Sequence, residues 1–172
     1  FNESKQYNPD TLVIGNAPQG GRLNDQIKSE IISALTFGAD IISGMHDFLS
    51  KDRELSNIAK QNNVKIIDLR KPPFPPHFPK GTWQDRNVPV LLVVGSDCDT
   101  GKMTTAWEIK ERLSLYKKNV EFIGTGQTGI LLSKGVAIDA VIADFMAGEV
   151  EHLIDTYTKS DTDLVVVEGQ GS

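Results

Sequence analysis

Apolar residues recur along this chain with two periods, and segments of each kind alternate. Leu12-Val13-Ile14 is a short apolar run closed by the turn-former Gly15, which predicts a buried strand. In Asp25–Phe37, Ile27, Ile31, Ala34 and Leu35 return at helical spacing; Asn24 is placed to cap that helix and Gly38 to end it. Asp40–Ser43 reads as a second strand, residues 51–62 as a second helix with Leu55, Ile58 and Ala59 inward, and residues 64–68 as a third strand. Strands joined through helices by short connections imply parallel pairing with right-handed crossovers.

Residues 1–70 therefore read as a Rossmann-like unit. Residues 71–79 then hold five prolines, too many for a helix interior or a central strand. Residues 71–87 are expected to be an extended, stiff spacer between domains, with a proline-motif ligand for another protein as the alternative. Beyond it the alternation restarts. Residues 89–94 are almost wholly Val and Leu, as in a central parallel strand covered on both faces. A helix over 102–116 with Ala106, Ile109 and Leu113 on one side, a strand at Val120–Ile123, a helix over 146–157 and a strand over 164–167 follow. The fold class is α/β: a Rossmann-like N-terminal unit joined to a P-loop NTPase-like parallel α/β domain over 88–172.

Composition narrows the classes without choosing a function. The 172 residues carry a net charge of -5, which disfavours nucleic acid as a partner because that needs a basic face. No apolar run reaches membrane-spanning length, so no membrane partner is expected. A single cysteine, Cys98, cannot form an internal disulfide and suits a reducing, cytoplasmic setting. The chain starts at Phe1 and stops on a glycine-rich turn after a strand, so it reads as a fragment cut at both ends. A homo-oligomer is the expected assembly.

Chemistry concentrates in Gly95-Ser96-Asp97-Cys98-Asp99-Thr100-Gly101-Lys102-Met103-Thr104-Thr105, between a predicted strand and a predicted helix. Glycines let backbone N–H groups turn inward around a diphosphate, and a helix N-terminus adds partial positive charge. Lys102 would set an ammonium against phosphate oxygens. Two features depart from the standard P-loop: five residues separate Gly95 from Gly101, and Met103 stands where Ser or Thr follows the lysine. The metal-binding hydroxyl is then Thr104, or there is none. An ordinary strand-to-helix turn is the bland alternative. Asp97 and Asp99 repel phosphate, and fit better if a metal or a substrate ammonium binds nearby.

That loop resembles the Gly-Thr-Asp-x-x-x-Gly-Lys loop of dethiobiotin synthetases. Val166-Val167-Glu168-Gly169-Gln170-Gly171 is similar to their Val-Glu-Gly-Ala-Gly-Gly segment, whose glutamate helps hold Mg²⁺. The resemblance implies Glu168 and Thr104 as metal ligands. A closer resemblance covers nearly the whole chain. The loop with its Met-Thr-Thr, Gly124-Thr125-Gly126-Gln127-Thr128-Gly129, residues 139–148 and Val167-Glu168-Gly169-Gln170-Gly171 occur together in the DgcN-type D-glutamate N-acetyltransferase family. That family joins an N-terminal Rossmann-like domain to a C-terminal P-loop domain, and its full-length members are about twice this size.

The resemblance implies acetyl transfer from acetyl-CoA to the amine of an acidic amino acid. The loop from Gly95 to Thr105 would hold the CoA phosphates; Asp97, Asp99 or Glu168 would take the ammonium proton, and Lys102 would assist at the carbonyl oxygen. An ATP- and Mg²⁺-dependent ligase or kinase is the alternative, with a non-catalytic nucleotide sensor third. Gly126, Gln127 and Thr128 either contact substrate or form a flexible turn. Asp144 either caps the helix near Phe145 or belongs to the site. His46 follows the second strand and either lines a cleft between domains or is structural; His77 and His152 read as surface residues. Cys98 is a nucleophile or a small packed loop residue. Gly15 with residues 18–21 is a weaker candidate substrate loop.

Overall fold

A computed structural model describes residues 1–15 and 22–170; the candidate loop at 18–21 and Gly171 lie outside the described residues. The chain divides into two units, Phe1–Arg70 and Lys71–Ser172.

The first unit is the expected Rossmann-like one. Strands β1 (Thr11–Ile14), β2 (Asp40–Ser43) and β3 (Ile66–Asp68) form a parallel sheet in the order β1-β2-β3. Helix α1 (Asp25–Phe37) starts where Asn24 Oδ1 accepts from the Ile27 amide at 2.8 Å and ends at Gly38. Its inward Ile31, Ala34 and Leu35 are fully buried against Ile41 and Leu55. Helix α2 (Arg53–Gln61) begins two residues later than expected, because Asp52 Oδ1 caps the amides of Glu54 and Leu55. Strand β3 likewise begins at Ile66 rather than 64.

In the second unit β4 (Val90–Val93), β5 (Val120–Ile123) and β6 (Leu164–Glu168) pair in parallel in the order β4-β6-β5. Helix α3 (Lys102–Leu115) covers one face, where Ala106, Trp107, Ile109 and Leu113 meet Val93, Phe122 and Val166. Helix α5 (Ala143–Tyr157) covers the other, where Val150, Leu153 and Ile154 meet Ile123, Val165 and Val167. Alternation of Val165, Val166 and Val167 between the two clusters is the period-2 pattern of a strand buried on both sides. A helix on each face of a parallel sheet is what right-handed crossovers require when β6 returns between β4 and β5.

Three expectations are corrected here. The strand read as central, β4, stands at the edge of the described sheet, and Leu92 and Val94 are exposed. β6 takes the central place, since its Val165 and Val166 are the fully buried pair. Residues 77–86 of the expected spacer are fastened to α5 instead. Buried Glu149 accepts from the His77 amide at 2.7 Å, and Glu151 accepts from the amides of Lys80 and Thr82. Proline-rich backbone has few amides to bond, and these carboxylates take three of them. Finally, the second half of the glycine-rich stretch after β5 opens a short helix, α4 (Gln127–Leu132), so the flexible-turn alternative does not hold for Gln127 and Thr128.

Candidate active site

Because β6 lies between β4 and β5, its C-terminal end stands between the loop after β4 and the loop after β5. That is the place where parallel sheets bind ligands.

The loop after β4 folds back on itself. A Cβ on Gly95 would stand 2.3 Å from Thr100 Oγ1 and 3.0 Å from Lys102 Cγ, so the approach needs glycine. Asp99 (φ 55°) and Gly101 (φ 85°) are left-handed, a backbone course that gathers N–H groups into a concave nest. No side chain caps α3, so its leading amides stay available to an anion. The Cys98 amide donates to Asp97 Oδ1 at 2.7 Å, and the Thr100 hydroxyl to the Asp97 carbonyl at 3.1 Å. The Lys102 ammonium donates to the same carbonyl and reaches Thr100 Oγ1 at 3.5 Å, so it lies along the loop.

Glu168 ends β6 with only 7% of its surface exposed. Its Oε2 accepts from the amides of Thr125 at 3.0 Å and Gly126 at 3.2 Å, the residues that lead into α4. A Cβ on Gly129 would stand 2.3 Å from that oxygen, so glycine there makes room for the carboxylate. No hydrogen bond among the described residues reaches Oε1. The two loops and the strand end enclose a cavity of about 480 Å³.

Of the residues singled out from sequence, Cys98, Asp99, Gly101, Lys102, Met103 and Thr104 line this cavity from one side. Gly126, Gln127, Thr128 and Glu168 line it from the other. Asp97, Ser96, Gly95 and Thr100 lie in the body of the loop, outside the lining; Thr105 sits further along α3, its amide bonded to the Gly101 carbonyl at 2.8 Å. Asp144 is not the helix cap. Ile142 holds that position without a side-chain bond, and Asp144 is exposed in the first turn of α5. His46 is exposed in the bend after β2, in the first unit. Among the described residues no group of three or more His, Cys, Asp or Glu is placed to hold a metal ion. Thr104 and Glu168, the two expected metal ligands, both line the cavity.

Three residues have partners that sequence reading did not give. His77 is not a bland surface residue: its Nδ1 stands 3.0 Å from Glu149 Oε2, and its ring stacks on His152 with centroids 3.6 Å apart. Thr125 is buried, donating from Oγ1 to the Glu168 carbonyl at 2.8 Å and accepting there from Gln170 Nε2 at 2.9 Å. Gln170 lines the cavity. Partners more than forty residues apart leave no local signal.

Residues 77–172 match the family model described as a domain of unknown function, DUF1611_C, P-loop domain, and residues 1–72 match its companion, DUF1611_N, Rossmann-like domain. The chain belongs to the DUF1611 family. Two curated relatives, both named D-glutamate N-acetyltransferase, are 38% identical (Tritonibacter scottomollicae) and 37% identical (Pseudoalteromonas sp) over 99% of this chain. The chain spans about half the length of each, at 50%. The crystal structure of a DUF1611 family protein from Anabaena variabilis superposes with a TM-score of 0.91 at 37% identity, covering 99% of this chain and 50% of that one. The family's two-domain order agrees with the two units seen here. No helix among the described residues is long and apolar enough to cross a membrane.

Proposed function

We propose that the protein transfers an acetyl group from acetyl-CoA to the amine of an acidic amino acid, D-glutamate being the substrate named in its relatives. One observation carries the reading: a single cavity has a phosphate-loop lysine on one wall and a buried carboxylate on the other. The nest of Asp99 to Gly101, the start of α3 and Lys102 hold the CoA phosphates. Glu168 Oε1 accepts a proton from the substrate ammonium, and the freed amine attacks the thioester carbonyl. The new C–N bond forms as the C–S bond breaks, and the thiolate leaves to take up a proton. Asp99, on the lining, adds negative charge that draws the ammonium in.

A second reading takes support from Thr104 and Glu168 lining the same cavity: in a ligase or kinase they would share a Mg²⁺ with ATP phosphates. One assay separates the two. Full-length protein is mixed with acetyl-CoA and D- or L-glutamate, and free thiol is followed. The proposal expects thiol release that requires the acidic amino acid and is lost in Lys102→Ala. ADP formation from ATP with candidate substrates, without thiol release from acetyl-CoA, would replace it with the second reading.

A further inference from the structure

A second cavity, of about 540 Å³, lies inside the same unit. Glu168, Gly169 and Gln170 line both cavities, so the two meet at the end of the central strand. The first opens on the phosphate loop and the start of α3, the second on α5. The alternation along β6 makes the division: Val166 packs on the α3 side, while Val167 packs on the α5 side and lines the second cavity.

The walls of the second cavity are of another kind. Leu92, Val94, Met146, Val150 and Ile154 make them mostly apolar. Arg86, the cation on the lining, is already paired: its Nη2 donates to Asp155 Oδ1 at 2.6 Å and to Thr82 Oγ1 at 3.2 Å. Glu151, also on the lining, accepts from the Thr82 hydroxyl at 2.9 Å and from the Thr82 amide. A ligand carboxylate here would compete with Asp155 for Arg86 and lose water against apolar walls, which is costly. An apolar group gains by the same move.

A CoA thioester is built in a fixed order: phosphates, a flexible arm, the thioester carbonyl, then the acyl group. With the phosphates at the loop and the carbonyl at Glu168, as the proposed function has them, the acyl group lies beyond Glu168, on the α5 side. The single methyl of an acetyl group leaves most of about 540 Å³ empty. We infer that the second cavity is an acyl-tail subsite, which makes straight-chain acyl thioesters longer than acetyl substrates of the same site. The inference rests on the proposed function and widens its donor class. The bond changes are those of acetyl transfer: the C–N bond forms as the C–S bond breaks, the ammonium proton passes to Glu168, and the thiolate leaves with CoA.

Acetyl-CoA and hexanoyl-CoA on full-length protein test it, by titration calorimetry and by thiol release with D-glutamate as acceptor. Hexanoyl-CoA carries four more methylenes and should bind about tenfold tighter even with half of them buried, at about threefold per methylene. It should also release thiol and yield the N-hexanoyl amino acid. Ala147→Trp, which fills the cavity, and Met146→Glu, which charges it, should each remove the preference for the longer chain. Ala147 is exposed, so its variant folds even if Met146→Glu does not. A preference that survives Ala147→Trp, or tight hexanoyl-CoA binding without turnover while acetyl-CoA reacts, would overturn the inference. So would a lower melting temperature in Ala147→Trp with no chain-length preference in the wild type, which would give the cavity to another part of the chain. Acetyl-CoA turnover with equal affinity for the two thioesters would remove this subsite and leave acetyl transfer standing. A chain-length gain without thiol release from either thioester would do the reverse, and no binding of either would remove both.

Discussion

Asp68 and Glu168 hold the same place in two sheets. Each is the last residue of the third strand of its unit, and each accepts backbone amides from the segment that follows the neighbouring strand. Asp68 uses both oxygens, taking Leu49 on Oδ1 at 2.9 Å and Ser50 on Oδ2 at 3.1 Å. Glu168 takes both of its amides on Oε2, and Oε1 is left for the cavity. The longer side chain and the strand order explain the difference. In the first unit the strands run in sequence, so Asp68 faces one neighbour. In the second, β6 sits between its neighbours, and its end meets the phosphate loop as well as the α4 loop. A strand-end carboxylate is thus a clamp with both oxygens engaged in one unit and a clamp on a cavity wall, with its amides gathered on one oxygen, in the other.

The sharpest way to break this comparison is to neutralise each carboxylate. Glu168→Gln should lower kcat/KM by about a hundredfold or more, the usual scale for a lost general base, with the fold intact by circular dichroism. Undiminished turnover would show that Oε1 has no chemical task. Next, Gly129→Ala puts a methyl group against Oε2 and should swing the carboxylate, cutting kcat by about tenfold or more. Asp68→Asn should instead cost about 1–3 kcal/mol of stability in a denaturant titration, because an amide nitrogen cannot accept, and leave kcat per folded molecule unchanged. The smallest effect concerns Glu151, a carboxylate outside the lining of the candidate active site. The Lys80 amide, with the Thr82 hydroxyl and amide, holds its pKa below the ordinary 4.5 against the cost of burial. A lowered folded pKa gives stability that is present above the ordinary value and lost as pH falls through it. Trp83 fluorescence should therefore change as the 77–86 segment detaches under acid, and Glu151→Gln should flatten that response.

Much of this was legible in the sequence, for reasons specific to each element. Asn24 and Gly38 bracket α1 because a cap and a stop act through neighbouring residues. β6 and its Glu168 were legible because a Val run followed by Glu-Gly marks a buried strand reaching an edge. What was not legible depends on pairing across the sheet. The run at 89–94 is as apolar as the Val run of β6, and nothing local says which strand will be central. The proline-rich stretch reads as a spacer until Glu149 and Glu151 are brought against it from some seventy residues away. The partners of Thr125 and Gln170 are hidden for the same reason, while Asp144 has the composition of a cap but stands two residues past Ile142, which holds the cap position.

The proposed function divides the labour inside one cavity: Lys102 would bind and Glu168 would react. Acetyl-CoA affinity measured by calorimetry on full-length wild type, Lys102→Ala and Glu168→Gln tests it directly. The expected result is a Kd raised about tenfold or more by Lys102→Ala, as for loss of a charged phosphate contact, and a Kd nearly unchanged by Glu168→Gln. Affinity indifferent to Lys102→Ala, or weakened equally by both substitutions, would contradict it.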